Sequence, residues 1–170
     1  MAASQDYGRG NNMANLNFII ITCSDTRSKK EDSAGEALES LIAEQGWSCL
    51  SRVVVKDERK EIAEALELAC TRDNVNVVLT CGGSGLSLRD VTPEATRDVC
   101  DREVPGIAEA MREYSRKITP FASLSRATCM QKDQILVINL PGSEKAAREN
   151  WEALIDILPH AVKMMAGGGH

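Results

Sequence analysis

The sequence predicts an α/β protein with a mostly parallel sheet covered by helices on both faces. Two observations carry this. Short apolar runs rich in Val and Ile alternate with longer stretches whose apolar residues recur at helical spacing, the pattern of βαβ units. The short runs are apolar at nearly every position, as in strands buried on both sides. With 170 residues, 43% of them hydrophobic, the chain suits one domain whose core needs no metal or disulfide staple.

Residues 1–16 are polar and rich in Gly and Asn. They read as a disordered arm, without the basic-then-apolar pattern of a secretory signal. Phe18 to Ile21 is the first strand. Asp32-Ser33 then caps a helix with Ala37, Leu38, Leu41 and Ile42 on one face, and Gly46 closes it. Leu50 to Val55 is the second strand, and Ile62, Ala65, Leu66 and Ala69 mark the next helix. Val75 to Thr80 is the third strand. After a long loop, Thr92-Pro93 opens a helix, with Thr92 as the expected N-cap.

Pro105 opens another helix, with Ile107, Met111, Tyr114 and Ile118 on one face. Residues 119–133 read as irregular, with an edge strand near Ala127 to Gln131. Ile135 to Asn139 is a strand. The last helix carries Ala147, Trp151, Leu154, Ile155 and Leu158, and Pro159 is expected to kink or break it. Gly167 to His170 reads as a flexible tail, which leaves residues 17–166 as a single domain.

Composition excludes several functions. Twenty Lys and Arg against 25 Asp and Glu leave a net charge of -5, which is not the basic face of a nucleic-acid module. Aromatic residues are only 4%, which speaks against a base-stacking surface. Phe18–Ile21 is far too short to span a bilayer. None of the six cysteines forms a Cys-x-x-Cys pair, so they read as free thiols of a reducing compartment, the cytoplasm, and not as a zinc site. With two histidines, acid–base or electrostatic work falls to carboxylates, lysine or a metal ion.

In parallel sheets, ligands bind beyond the carboxyl ends of the strands. Four loops leave strands there: Thr22-Cys23-Ser24-Asp25, Lys56-Asp57-Glu58, Cys81-Gly82-Gly83-Ser84-Gly85 and Leu140-Pro141-Gly142-Ser143. All are rich in small, hydroxyl or acidic residues. Glycines at 82, 83 and 85 let backbone amides form an anion-binding nest. No Gly-Lys-Ser/Thr follows, so this is not a P-loop. Leu88 stands where a dinucleotide fingerprint has its third glycine. A ligand-free glycine turn is the plainer alternative.

Each acid near these loops also has two readings. Asp90 is either a turn or arginine-paired residue, or a magnesium ligand beside phosphates. Asp57 is either the N-cap of the helix beginning near Arg59 or part of the same site. Asp25 is either a turn residue or a third member. Three carboxylates at one sheet edge repel one another unless a cation or basic substrate lies between them. Carboxylates beside a glycine nest, with no histidine base, suit metal-assisted phosphoryl or nucleotidyl transfer. Ser125-Arg126 and Lys145 supply hydroxyl and positive charge, although a surface ion pair would also account for Arg126. Lys29-Lys30-Glu31-Asp32 reads as a solvated loop.

From about Phe18 to Val162 the chain resembles the molybdenum cofactor biosynthesis proteins of the Mog/MoaB type, above all the G domains of gephyrin and the plant Cnx proteins. The family's Gly-Gly-Thr-Gly appears as Gly82-Gly83-Ser84-Gly85. Its Arg-Asp-Val-Thr-Pro-Glu-Ala-Thr appears unchanged from Arg89 to Thr96. Ser24-Asp25, Asp57-Glu58, Arg102-Glu103 with Pro105-Gly106, Ile118-Thr119-Pro120-Phe121, Leu124-Ser125-Arg126, Asn139-Leu140-Pro141-Gly142-Ser143 and Leu158-Pro159-His160-Ala161 also match. Departures are Ser84 for the usual threonine, Ala34 where many members have serine, and Met130, Lys132 and Asp133 in place of a Gly-x-Arg-Gly turn.

The resemblance implies a three-layer α/β/α sandwich, typically a homotrimer. It implies a molybdopterin adenylyltransferase that uses Mg-ATP to attach AMP to the terminal phosphate of molybdopterin, releasing pyrophosphate. Asp57 and Asp90 match acids needed for transfer and are the expected catalytic and magnesium-binding residues. Ser125, Arg126 and Asn139 fall on the pterin side. Ser24, Asp25, Gly82, Gly83, Ser84, Gly85, Pro141, Gly142 and Ser143 form the nucleotide and phosphate loops. A separate molybdate-inserting protein is the implied partner, with no nucleic acid or membrane. The alternative is a non-catalytic trimeric pterin-binding or scaffold protein on the same fold.

Overall fold

The computed structural model describes residues 15–26 and 28–168. Residues 1–14 of the expected arm (1–16) and residues 169–170 of the expected tail lie outside the described residues. Leu16, read from sequence as part of the arm, is buried in the core. Gly167 and Gly168 donate to the carbonyls of Met164 and Lys163 and close the last helix.

Six strands form one sheet: β1 (Asn17–Cys23), β2 (Ser48–Val55), β3 (Val77–Cys81), β4 (Arg102–Glu103), β5 (Cys129–Lys132) and β6 (Ile135–Leu140). Their order is β2-β1-β3-β6-β5-β4. β2, β1, β3 and β6 are mutually parallel, and β5 and β4 add an antiparallel edge. The α-helices among the described residues are α1 (Ser33–Glu44), α2 (Arg59–Cys70), α3 (Thr92–Val99), α4 (Pro105–Arg116), α5 (Glu144–Glu152) and α6 (Leu158–Met165). The mostly parallel α/β architecture expected from the sequence is present.

Strand alternation sorts the core into two clusters. Phe18, Ile20, Val77, Leu79, Leu136 and Ile138 face α1, α4, α5 and α6, where Leu38, Ile42, Met111 and Trp151 meet them. Ile19, Ile21, Val78 and Val137 face α2 and α3, against Ile62, Leu66, Ala95 and Val99. On the first face Phe18 lies 5.6 Å from Trp47 and 5.9 Å from Trp151, centroid to centroid. Such pairs add about 0.5–1.5 kcal/mol each beyond their buried area. This packing fixes α1 and α5 against β1.

Three local expectations need correction, and the break expected at Pro159 is present, a few residues earlier in the chain. Thr92 is the first residue of α3 and not its cap; Val91 holds that position and no side chain caps the helix. The Thr92 amide donates to Gly83 O at 3.0 Å, which draws it into the first turn. The last helical stretch breaks before Pro159: α5 ends at Glu152, and α6 restarts with proline in its first turn. A continuous helix would drive the Pro159 ring into the carbonyl of Ile155, whereas in a first turn the missing N–H costs nothing. The strand expected at the edge runs Cys129–Lys132 and lies inside the sheet, paired with β6 on one side and with Arg102–Glu103, the true edge, on the other. Lys29–Glu31 forms a 3-10 turn, and Asp32 behind it is buried, not solvated. Asp32 caps α1 by accepting from Gly35 N–H at 2.9 Å and pairs with Arg52 at 3.1 Å.

Candidate active site

Because β1, β2, β3 and β6 run in one direction, the loops that follow them share one edge of the sheet. They meet at Gly82. Its N–H donates to Leu140 O at 3.0 Å. Its φ is +98°, and a side chain there would stand 2.6 Å from the Cys23 carbonyl. Gly83, with φ +67°, lies equally close over Thr92, where a Cβ would come within 3.3 Å of Asp57 Oδ1. Glycine is therefore required at both places.

Asp57 does not cap α2. Glu58 occupies the N-cap position, and its side chain makes no capping bond. Instead Asp57 Oδ2 accepts the Asp25 amide at 3.2 Å, and the Asp57 amide donates to Asp25 Oδ1 at 3.2 Å. Asp57 Oδ1 is buried with no hydrogen-bond partner. Burial, then the charges of Asp25 and Asp90, raise the Asp57 carboxyl above its usual range. Asp25 is shifted the other way, chiefly by the hydrogen bond from Arg89. Arg89 bridges two loops, reaching Asp25 at 2.8 Å and Glu58 at 2.9 Å. It is Asp25, not Asp90, that is arginine-paired.

Asp90 closes the glycine-rich loop. Its Oδ2 accepts from Ser87 N–H at 3.0 Å, and its amide donates back to Ser87 O at 2.9 Å. A Cβ on Gly85 would approach Asp90 Oδ2 to 2.9 Å. The loop thus runs between two carboxylates, with Asp57 against Gly83 and Asp90 against Gly85.

Beside the loop lies a cavity of about 650 Å³, walled by Gly82 to Leu86, Asp90, Pro141, Gly142, one face of α4, the 3-10 turn Pro120–Leu124, and α5. Ser125 lines it. Asp57, Asp25 and Ser24 do not, and Asp57 abuts the loop at Gly83. Ser84 is buried within the loop. Ser143 caps α5, accepting from Ala146 N–H at 3.3 Å. Lys145 points into solvent and pairs only loosely with Glu149, at 4.0 Å.

Two residues assigned from sequence to the pterin side are engaged elsewhere. Arg126 donates to Gly85 O at 2.7 Å and to Asp90 O, and pairs with Glu94. Its backbone N–H holds Ser84 O at 2.9 Å. It is a clamp on the glycine loop. Asn139 is wholly buried; its amide donates to Thr80 Oγ1 at 3.0 Å and Thr96 Oγ1 at 2.9 Å, and its oxygen accepts from Thr128 N–H at 3.3 Å. It ties β6 to β3 and α3 behind the loop. Sequence reasoning missed Arg112, Ser115, Glu149 and Asn150, which line the cavity. A signal existed: Ala108, Met111, Arg112 and Ser115 follow i, i+3, i+4, i+7 spacing and share one face of α4.

Residues 19–160 match the family model described as a probable molybdopterin binding domain. The chain is 37% identical over 159 residues to a molybdopterin adenylyltransferase of Helicobacter pylori, covering 91% of this chain and 90% of that protein. It is 37% identical over 156 residues to the molybdenum cofactor synthesis protein cinnamon of Drosophila melanogaster, 90% of this chain but 26% of that one. The molybdopterin biosynthesis enzyme MoaB of Thermus thermophilus superposes with a TM-score of 0.82 at 40% identity, covering 89% of this chain and 97% of that one. The fold and the site define a sheet-edge ligand-binding domain of α/β type. The chain belongs to the molybdopterin-binding domain family of molybdenum cofactor biosynthesis.

Proposed function

We propose that this chain is a molybdopterin adenylyltransferase that joins AMP from ATP to the terminal phosphate of molybdopterin and releases pyrophosphate. The observation that carries the reading is the glycine loop itself: a carboxylate with a buried, partnerless oxygen abuts it at Gly83, and a cavity of about 650 Å³ opens beside it. That volume lies within the range of small-molecule sites, roughly 300–1,000 Å³.

The nucleophile is a phosphate oxygen, already ionised at neutral pH. A bond forms from it to the α-phosphorus of ATP, and the bond to the β-phosphate bridge breaks. No protein base is required, so the scarcity of histidine is no obstacle. The chain's task is positioning and charge. The backbone amides from Gly83 to Gly85 offer the nest for phosphate oxygens, the Gly82 amide being taken by Leu140 O, and Arg126 holds that loop in shape.

Magnesium fits the donors present. The partnerless Asp57 oxygen and the Asp90 carboxylate are two acids flanking one loop. Among the described residues there is no cluster of three or more His, Cys, Asp or Glu side chains that could hold a metal unaided. Magnesium is commonly held by one or two carboxylates together with substrate phosphates. When bound it would neutralise charge on the phosphates. Asp57 and Asp90 are the residues that would hold it.

The same reading carries a homotrimer, a cytoplasmic location and a separate molybdate-inserting partner. Leu86, Phe121 and Leu124, exposed on the cavity wall, and Leu88, exposed two residues after Leu86, support association. No helix among the described residues is long and apolar enough to cross a membrane. The test is incubation of the purified chain with ATP, magnesium and molybdopterin, with mass detection of the product. Adenylylated molybdopterin with pyrophosphate is expected. Tight molybdopterin binding without product would assign the chain to the scaffold class instead.

A further inference from the structure

We infer that Arg112 recognises the phosphomonoester end of the acceptor, gripping it together with the Ser125 hydroxyl. The inference takes the acceptor's identity from the reading above. Its own basis is an arginine whose charge has no carboxylate counterpart among the described residues.

Three arginines are half-buried among the described residues: Arg52, Arg112 and Arg126. Arg52 pairs with Asp32, and Arg126 pairs with Glu94. Among the described residues Arg112 has no carboxylate within 4.0 Å, and its partner is the carbonyl of Ala127, at 2.9 Å from Nη1. A guanidinium has five N–H donors, so one carbonyl leaves most of its capacity unused. Desolvating a cation without a counter-charge is costly. In a chain with 25 acids, a carboxylate partner would have been easy to supply. An anion from outside the protein accounts for its absence.

The location agrees. Among the described residues that wall the main cavity, Asp90 and Glu149 are the acids and Arg112 is the cation. Arg112, Ser125 and Ala127 also wall a second cleft of about 380 Å³, so the guanidinium stands at the seam between the two. Ser125 Oγ accepts from Ala127 N–H at 3.3 Å, which leaves its own proton to donate. A planar fork and a hydroxyl together suit a phosphate dianion. The next residue, Arg126, holds Ser84 O through its backbone amide. A phosphate held at Ser125 therefore lies beside the glycine loop, where an adenylyl donor would be met.

The same chemistry would serve a phosphate of the nucleotide, and the test separates the two. Equilibrium binding of molybdopterin, its dephosphorylated form and ATP is measured on the whole chain, wild type, Arg112→Ala and Arg112→Gln. The glutamine variant retains a donor for Ala127 O while removing the charge, and melting curves report folding. Wild type is expected to prefer molybdopterin over the dephosphorylated form by at least about tenfold, the range of a charged hydrogen bond. Both variants should lose that preference while binding the dephosphorylated form and ATP as wild type does. Preference retained by Arg112→Gln, an equal loss for both pterin forms, or a fall confined to ATP would overturn the inference. Binding is read without turnover, so the two claims separate. Phosphate preference without adenylylated product sinks the transferase reading and keeps Arg112. Product without phosphate preference does the reverse.

Discussion

Asp25 and Asp57 hold each other by two backbone-to-carboxylate hydrogen bonds in opposite directions, both 3.2 Å long. The exchange fixes the loops after β1 and β2 side by side and leaves Asp57 Oδ1 buried without a partner. A carboxylate so placed is set against stability and in favour of a ligand. Asp57→Asn keeps an oxygen for the Asp25 amide and removes a charge that burial and two neighbouring acids disfavour. The expected result at pH 7 is a higher melting temperature by calorimetry. A clear drop would mean that the charge is stabilising.

The pH dependence follows with a definite sign. The Asp57 carboxyl is raised in the folded protein, so its stabilising share is present at low pH and is lost as pH rises through the folded value. Activity runs the other way, because the ionised form is the useful one. The acid limb of kcat/KM should therefore fall above the ordinary aspartate range. Asp25→Asn removes the neighbouring charge that contributes to the shift, and should move that limb to lower pH. An unmoved limb in this variant would show that Asp57 does not control it.

Arg126 ties Gly85, Asp90 and Glu94 together. Arg126→Ala strands two carbonyls and one acid, at a cost of about 2–3 kcal/mol in chemical denaturation. The catalytic constant should fall with it, while molybdopterin affinity stays near wild type. A selective loss of molybdopterin binding, with stability intact, would return Arg126 to the pterin side.

Asn139 is judged in the same way. Asn139→Ala leaves the Thr80 hydroxyl and the Thr128 amide without this partner, while the Thr96 hydroxyl keeps its bond to Thr92 O. Buried and unmatched polar groups of this kind cost about 2–4 kcal/mol in total. Denaturant titration should show that loss, with molybdopterin affinity of the folded fraction preserved. Ser125→Ala, which removes a cavity-lining hydroxyl, should do the opposite.

Much of this was legible in the chain. The apolar runs of β1, β3 and β6 and the glycines at 82, 83 and 85 depend on local chemistry, and local chemistry is what a sequence displays. The two-residue strand Arg102–Glu103 has no apolar pattern and exists only because β5 offers it an edge. Asp57 has the spacing of a helix cap, and only the position of Asp25, 32 residues earlier in the chain, shows otherwise. Arg126 lies between cavity residues and Asn139 two residues before one, yet their side chains turn towards the loop and the core. Arg112 follows Met111, which belongs to the core and to the cavity wall at once, so the apolar spacing of α4 alone does not separate the two.

The central claim is that the Asp57 and Asp90 carboxylates are needed for transfer and not for the protein to fold. Single-turnover formation of adenylylated molybdopterin by Asp57→Asn and Asp90→Asn, with melting temperature alongside, tests it most directly. Each variant should be slower by at least about a hundredfold, as when one preorganised electrostatic group is lost. Molybdopterin binding and assembly mass should be unchanged. Near-normal turnover by both variants, in protein that remains folded, would contradict the account.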